Sequence, residues 1–192
     1  ILEAKDENRF GFEEPYSDLA KALSRTQKGK NYKSFAEARQ NVSDMVGGRL
    51  EYNEDKKEWQ FRDKSRRVYD IAATSEGVKK LSILDLLLGN HYLDNQSIIL
   101  IDEVEANLHP SLISRLLDTI LSLANAGVQF FIASHSYFVV KRLYIMAHKQ
   151  AMCIPVLSFE DGACQVGDLQ REMPKNPIVD ESINLYMDEI SL

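Results

Sequence analysis

The chain has 192 residues, of which 44% are hydrophobic, and its formal net charge is −6. This length supports one domain with a hydrophobic core, or one lobe of a larger domain, and the acidic balance argues against nucleic-acid binding through a generally basic surface. No apolar run approaches the roughly 18 residues of a membrane helix and no signal peptide is visible, so we expect a soluble cytoplasmic protein without a membrane partner.

The N-terminal quarter of the chain has a helical pattern. Residues 18–46 are polar with scattered apolar positions, which predicts one or two exposed helices with a break near Gly29. Gly47 and Gly48 end this segment. We therefore expect a helical segment over residues 1–48 and a separate lobe over residues 49–192.

A small β hairpin comes next. Residues 49–53 and 58–62 alternate apolar and polar side chains, which predicts two paired strands, and residues 68–73 predict a further short strand. The compact turn at residues 74–77 then precedes apolar residues at helical spacing. This pattern predicts a helix that ends at Gly89-Asn90.

Strand and helix patterns alternate from residue 98 onward, which predicts a parallel sheet with right-handed crossovers. The run from Ile98 to Ile101 is wholly apolar and indicates a strand buried on both faces, with helices on either side of the sheet. The predicted strands are residues 98–101, 128–133 and 153–159, and the predicted helices are residues 112–124, 138–147 and 183–190.

The two cysteines flank Asp161-Gly162, a strong signal for a two-residue hairpin turn. In that hairpin Cys164 lies opposite Phe159, while Cys153 lies further along the strand, so no disulfide is favoured. We expect free thiols in a reducing compartment.

Two adjacent carboxylates, Asp102 and Glu103, follow directly after the apolar strand. Ligands of parallel sheets bind at the carboxyl ends of the strands. There an aspartate can hold Mg²⁺, usually through water, and the next carboxylate can orient and deprotonate a water that attacks a terminal phosphate. The alternative is an acidic junction between strand and loop that forms no site.

His135 ends the next predicted strand, so it should lie beside this acidic strand end if consecutive strands pair. A neutral imidazole there can hydrogen-bond a phosphate oxygen or a water. The alternative is a purely structural histidine. His109 invites a similar choice between a direct nucleotide contact and a residue that merely starts a helix, and we favour the helix start.

The third candidate is the turn before the helix, where Ser75 and Gly77 offer a hydroxyl, an unhindered backbone and free amides at a helix N-terminus. Such a terminus can bind an anion. Helix capping by Ser75 is the alternative that explains the same residues.

Taken in this order, the motifs resemble the C-terminal half of an ATP-binding-cassette (ABC) type ATPase domain. The chain is similar to soluble ABC-like AAA proteins of bacteria, relatives of the overcoming-lysogenization-defect ATPases and of chromosome-maintenance ATPases. Residues 74–80 stand in the place of the signature motif, residues 98–103 resemble the Walker B strand, and residues 105–110 look like the D-loop.

This resemblance implies an α/β fold of the P-loop NTPase type, here a partial domain with a helical segment and a small hairpin. It implies Mg²⁺ at Asp102, general-base chemistry at Glu103, and a switch histidine at His135. It places Asn107 in the D-loop along a dimer interface. Ser75 and Gly77 would contact the terminal phosphate of ATP bound to the opposite subunit of a head-to-tail homodimer.

The chain departs from the family pattern in one major respect: it contains no Gly-rich loop ending in Gly-Lys-Ser or Gly-Lys-Thr, which holds the phosphates. Glu76 also replaces the first glycine of the signature. We therefore expect that the N-terminal P-loop lobe is missing and that this chain alone is inactive as an ATPase. Two readings follow: part of an ATPase that drives an effector protein or acts on nucleic acid, or a non-catalytic ABC-like module that docks a partner protein.

Overall fold

The computed structural model describes residues 14–23 and 35–192, with side chains in the first helix described from Asp18 onward. Its helices are α1 (Glu14–Leu23), α2 (Ala36–Val46), α3 (Glu76–Gly89), α4 (Pro110–Asn125), α5 (Tyr137–Gln150) and α6 (Pro177–Ile190). Its strands are β1 (Gly48–Asn53), β2 (Glu58–Asp63), β3 (Val68–Asp70), β4 (Ile98–Asp102), β5 (Gln129–Ala133), β6 (Pro155–Glu160) and β7 (Ala163–Asp168). The predicted break near Gly29 lies outside the described residues.

The chain divides into two compact units. Of the described residues, the first unit comprises 14–23, 35–99 and 118–130, and the second comprises 100–117 and 131–192. None of the helices in the described ranges has the length and apolar character needed to span a bilayer.

The predicted hairpin is confirmed and belongs to a three-stranded antiparallel sheet with the order β1-β2-β3. Tyr52 lies opposite Trp59 in this sheet, and their rings meet edge to face with centroids 5.3 Å apart. The third strand ends at Asp70, earlier than the sequence predicts, because the Asp70 carboxylate accepts a hydrogen bond from the Ala72 amide at 2.7 Å. That bond caps a short 3₁₀ turn, Ile71–Ala73.

The expectation of exposed N-terminal helices is wrong for α2. Its Val42 side chain is fully buried, and Ala38 and Met45 are buried as well. The helical spacing of these three apolar residues gives α2 one face that packs into the core of the first unit. That core joins Phe35 and Ala38 to buried residues of later elements, namely Leu88, Leu93, Leu123 and Val128.

The strands β4 and β5 form a two-stranded parallel sheet, as expected for a βαβ unit whose crossover is α4. The prediction that β4 is buried on both faces is wrong. Ile98 and Leu100 are 57% and 77% exposed, whereas Ile99 and Ile101 are half-buried. Phe131 of β5 is also 52% exposed, so within the described residues one face of each strand lacks a covering layer.

The second predicted hairpin is confirmed in its turn and its register. Asp161 and Gly162 both have positive φ angles, 48° and 79°, as a type I′ turn requires. Cys164 lies opposite Phe159, and both cysteines are free and exposed.

The C-terminal helix α6 is longer than predicted. It begins at Pro177, because the Asn176 side chain accepts a hydrogen bond from the Val179 amide at 3.0 Å and so caps the first turn.

Candidate functional site

The loop after β4 is built from two successive tight turns. The Ala106 amide donates to the Glu103 carbonyl at 2.9 Å, and the Leu108 amide donates to the Glu105 carbonyl at 3.1 Å. Glu103 and Asn107 both adopt left-handed backbone conformations, with φ of 46° and 60°. Asparagine tolerates this region, but a glutamate held there costs about 1–3 kcal/mol, so the surrounding structure must enforce it.

Val104 provides one such constraint. Its side chain is fully buried, whereas Asp102 and Glu103 before it are exposed. The buried valine therefore anchors the loop, and the two carboxylates stay at the surface, Asp102 as the last residue of β4 and Glu103 directly after it.

The structure brings Glu103 and His135 together, as the order of strands predicts. The His135 Nδ1 atom lies 3.7 Å from Glu103 Oε1, and both side chains are largely exposed. Both groups can therefore reach a ligand that sits at the ends of these strands.

Glu105 also belongs to this cluster, although the sequence predicts for it only a place at the start of the D-loop. Its side chain is only 13% exposed, and its Oε1 atom lies 3.7 Å from His135 Nδ1. The Ser134 hydroxyl lies 2.9 Å from both carboxylate oxygens and donates to them, and the His135 amide donates to Oε1 at 3.3 Å. The serine next to His135 at the end of β5 is the one sequence signal that pointed to this contact.

Hard oxygen donors at this site fit a magnesium ion that keeps most of its own water. Among the residues that the structure describes, no group of three or more His, Cys, Asp or Glu is arranged to hold a metal. Mg²⁺ often takes only one or two protein carboxylates and completes its shell with water and substrate phosphates. Asp102, exposed at the end of β4, can supply that limited protein contribution.

Ser75 and Gly77 lie in the other compact unit, at the N-terminus of α3. The Ser75 hydroxyl accepts a hydrogen bond from the Val78 amide at 3.3 Å, so the serine caps the helix. Glu76 pairs with Lys79 one turn later at 2.7 Å. The capping interpretation of Ser75 is confirmed, and its exposed hydroxyl remains a candidate phosphate contact.

His109 stands just before α4 and caps it. The Ser111 amide donates to the His109 Nδ1 atom at 3.3 Å, and the Ser111 hydroxyl lies 2.8 Å from the same nitrogen. This geometry supports the interpretation of His109 as a residue that starts the helix.

A family model described as "AAA domain, putative AbiEii toxin, Type IV TA system" matches residues 3–141, which is most of the chain. The chain belongs to this family of AAA-type ATPase domains. Family membership confirms the resemblance to such ATPases and, with the observed sheet and helices, the predicted fold class. No curated protein matches the chain.

Several solved structures are similar to the chain. A structure described as the Smc head domain with a coiled coil and joint derived from Pyrococcus yayanosii is 23% identical, with a TM-score of 0.46 over 72% of this chain and 26% of that one. The SMC head domain from Thermotoga maritima is 18% identical, with a TM-score of 0.47 over 79% and 51%. A structure described under "ATP-driven dimerization and DNA stimulated activation of SMC ATPases" is 20% identical, with a TM-score of 0.49 over 85% and 98%. The chain thus spans about a quarter of the first relative and about half of the second.

Proposed function

We propose that this chain is the C-terminal part of an ATP-hydrolysing domain, with residues 49–192 as its C-terminal lobe. The observation that carries the proposal is the pairing of Glu103 with His135, whose side chains meet at 3.7 Å where β4 and β5 end. Membership of the AAA family supports nucleotide binding as the general activity.

Asp102, Glu103 and His135, at the ends of β4 and β5, each have a different role in hydrolysis. Asp102 would hold Mg²⁺, usually through water, and the ion would supply positive charge to offset that of the ATP phosphates. Glu103 orients the attacking water and accepts its proton. His135 donates a hydrogen bond to the terminal phosphate, where negative charge accumulates during transfer.

The remaining contacts come from a second copy of the chain in a head-to-tail dimer. Ser75 and Gly77 of one subunit meet the terminal phosphate held by the other, and the left-handed turn at Asn107 lies along the interface. The sequence contains no Gly-rich phosphate loop, so the other phosphate contacts come from outside these 192 residues. This chain by itself is expected to bind ATP weakly.

The test is a Glu103→Gln variant of the full-length protein. Glutamine keeps the size of the side chain but accepts protons poorly, so steady-state ATP hydrolysis should fall by about 10²–10⁴-fold. ATP binding should persist, and the ATP-bound dimer should accumulate because it no longer turns over.

The matched control is Glu181→Gln, which changes an exposed glutamate on α6. Hydrolysis by this control should equal that of the wild type. Retained hydrolysis in Glu103→Gln would show that Glu103 is not the general base. An inactive wild-type protein would favour the alternative of a non-catalytic docking module.

A further inference from the structure

Glu105 connects the loop after β4 to the end of β5. Its carboxylate accepts hydrogen bonds from the Ser134 hydroxyl at 2.9 Å and from the His135 amide at 3.3 Å. The His135 imidazole lies 3.7 Å from the same carboxylate, a contact that is an ion pair only when the ring is protonated, and no Lys or Arg in the described part of the chain forms a salt bridge with Glu105. The Glu105 carboxylate is largely buried, and a buried charge needs hydrogen-bonding partners. The groups at the end of β5 therefore hold this carboxylate in place.

We propose that Glu105 is a positioning residue: through Ser134 and the His135 backbone, it holds the imidazole of His135 next to Glu103. This inference rests on the proposed function, because the pair that Glu105 positions is the proposed catalytic pair. It assigns to Glu105 and Ser134 a role distinct from the chemistry of Glu103.

The burial of the two glutamates separates their roles. Glu103 is 55% exposed and can meet a water or a phosphate, whereas Glu105 is 13% exposed. The single O–H of Ser134 is shared between the two Glu105 oxygens, each 2.9 Å away, so this hydrogen bond ties the carboxylate to the end of β5. Glu103 is therefore accessible to a bound ligand, whereas Glu105 packs against other residues of the protein.

The position of the imidazole depends on this anchor. His135 Nδ1 is equidistant from Glu103 and Glu105, at 3.7 Å from each, while its own side chain is 73% exposed. An exposed ring on a strand end has several accessible rotamers. The hydrogen bond from the His135 amide to the Glu105 carboxylate fixes the position of the His135 backbone, from which the imidazole extends. This position is important because a displacement of about 1 Å at a reacting group can lower the rate about 10²-fold.

The first test measures the contact itself in the nucleotide-free protein. Amide hydrogen exchange of His135, followed by NMR, should accelerate about tenfold or more in Glu105→Ala, since a bond to a charged acceptor is lost. Glu103→Ala should leave that exchange rate unchanged. Unchanged exchange in Glu105→Ala, or equal acceleration in both variants, would contradict the claim that Glu105 holds the His135 backbone in place.

The second test measures steady-state kinetics of the full-length protein. Ser134→Ala and Glu105→Ala should each lower kcat by about 10- to 100-fold while KM for ATP stays within about twofold. Glu105→Gln keeps one acceptor oxygen and should recover most of the lost kcat. Ser122→Ala, at an exposed position on α4, should match the wild type.

The outcomes separate the two proposals. If Glu105→Gln is as inactive as Glu103→Gln, Glu105 takes part in the chemistry and the positioning role is wrong. If kcat is unchanged in Ser134→Ala and Glu105→Ala, the positioning role is also wrong, although Glu103 can still be the base. If the wild type does not hydrolyse ATP, the proposed function and the positioning role both fail, and the exchange experiment then reports a structural contact only.

Discussion

Asp168 shows how a single carboxylate ties together the ends of the β6–β7 hairpin. It accepts hydrogen bonds from the Gln170 amide at 2.9 Å and from the Ile154 amide at 3.1 Å. The Gln170 amide bond is the main cause that lowers the pKa of the Asp168 carboxyl, with further help from Cys153, Ile154 and Arg171 against an opposing effect of burial. The charged form is therefore the one that the folded hairpin prefers.

This preference predicts a pH dependence of stability. A carboxyl whose folded-state pKa is lowered stabilises the fold above its ordinary pKa of 3.8, and this stabilisation is lost as the pH falls through the lowered value. The thermal unfolding midpoint of the wild type should therefore drop more steeply below about pH 4 than that of Asp168→Asn. Asp161→Asn, at the exposed hairpin tip, serves as the control and should follow the wild type. Parallel profiles for wild type and Asp168→Asn would contradict the assignment.

Residue-scale contacts differed in how far the sequence could predict them. The meeting of Glu103 with His135 follows from the pairing of two consecutive strands, which hydrophobic patterns reveal. The contact between Glu105 and Ser134 depends on a loop in which Glu103 takes a φ of 46°. That conformation is rare for glutamate, so the sequence of the loop does not predict the direction of the Glu105 side chain, and only the serine beside His135 indicates a hydrogen-bonding partner at the end of β5.

At the scale of elements, α2 and α3 are joined by an almost buried ion pair. The Arg39 Nε atom lies 2.8 Å from Asp85 Oδ1, and the two side chains are 12% and 6% exposed. The second guanidinium nitrogen lies 3.3 Å from Asp85 Oδ2, which makes the contact bidentate. A Cβ atom on Gly89 would collide with the same guanidinium, so the glycine leaves room for the arginine.

Asp85→Ala should lower the free energy of unfolding by about 3–5 kcal/mol, because the buried Arg39 guanidinium would lose the charge of the Asp85 carboxylate. Chemical denaturation measures the loss. Asp55→Ala, in the exposed turn of the first hairpin, should change stability by about 0.5 kcal/mol or less. A double variant, Arg39→Met with Asp85→Leu, should recover much of the loss. A loss below about 1 kcal/mol in Asp85→Ala would show that the pair is not isolated from water.

The elements themselves were predictable where capping and periodicity agree. The helix α3 begins at a serine cap and ends at Gly89, as expected. Asp85 falls in its apolar stripe, but the sequence could not reveal Arg39 as its partner, because α2 was expected to be exposed. The apolar positions that predict α6 lie only near its end, whereas its start depends on the Asn176 cap and Pro177 at the first helical position, so the apolar pattern alone predicts a shorter helix.

At the scale of the whole molecule, the open face of β4 is the clearest departure from expectation. The four consecutive aliphatic residues from Ile98 to Ile101 indicate that burial of both faces of the strand is favourable. The pattern does not show which element packs on each face, and Leu100 is 77% exposed among the described residues. The alternation of strands and helices predicted the fold class correctly, since it depends on the order of elements rather than on the layer that covers them.

The central claim is that two copies of the chain complete each ATP site, with Glu103 from one copy and Ser75 from the other. Mixing two inactive full-length variants, Glu103→Gln and Ser75→Arg, tests it most directly. A mixed dimer contains one site with both changes and one site with neither, so an equal mixture should regain about a quarter of wild-type hydrolysis. A mixture that stays as inactive as its components would contradict the claim.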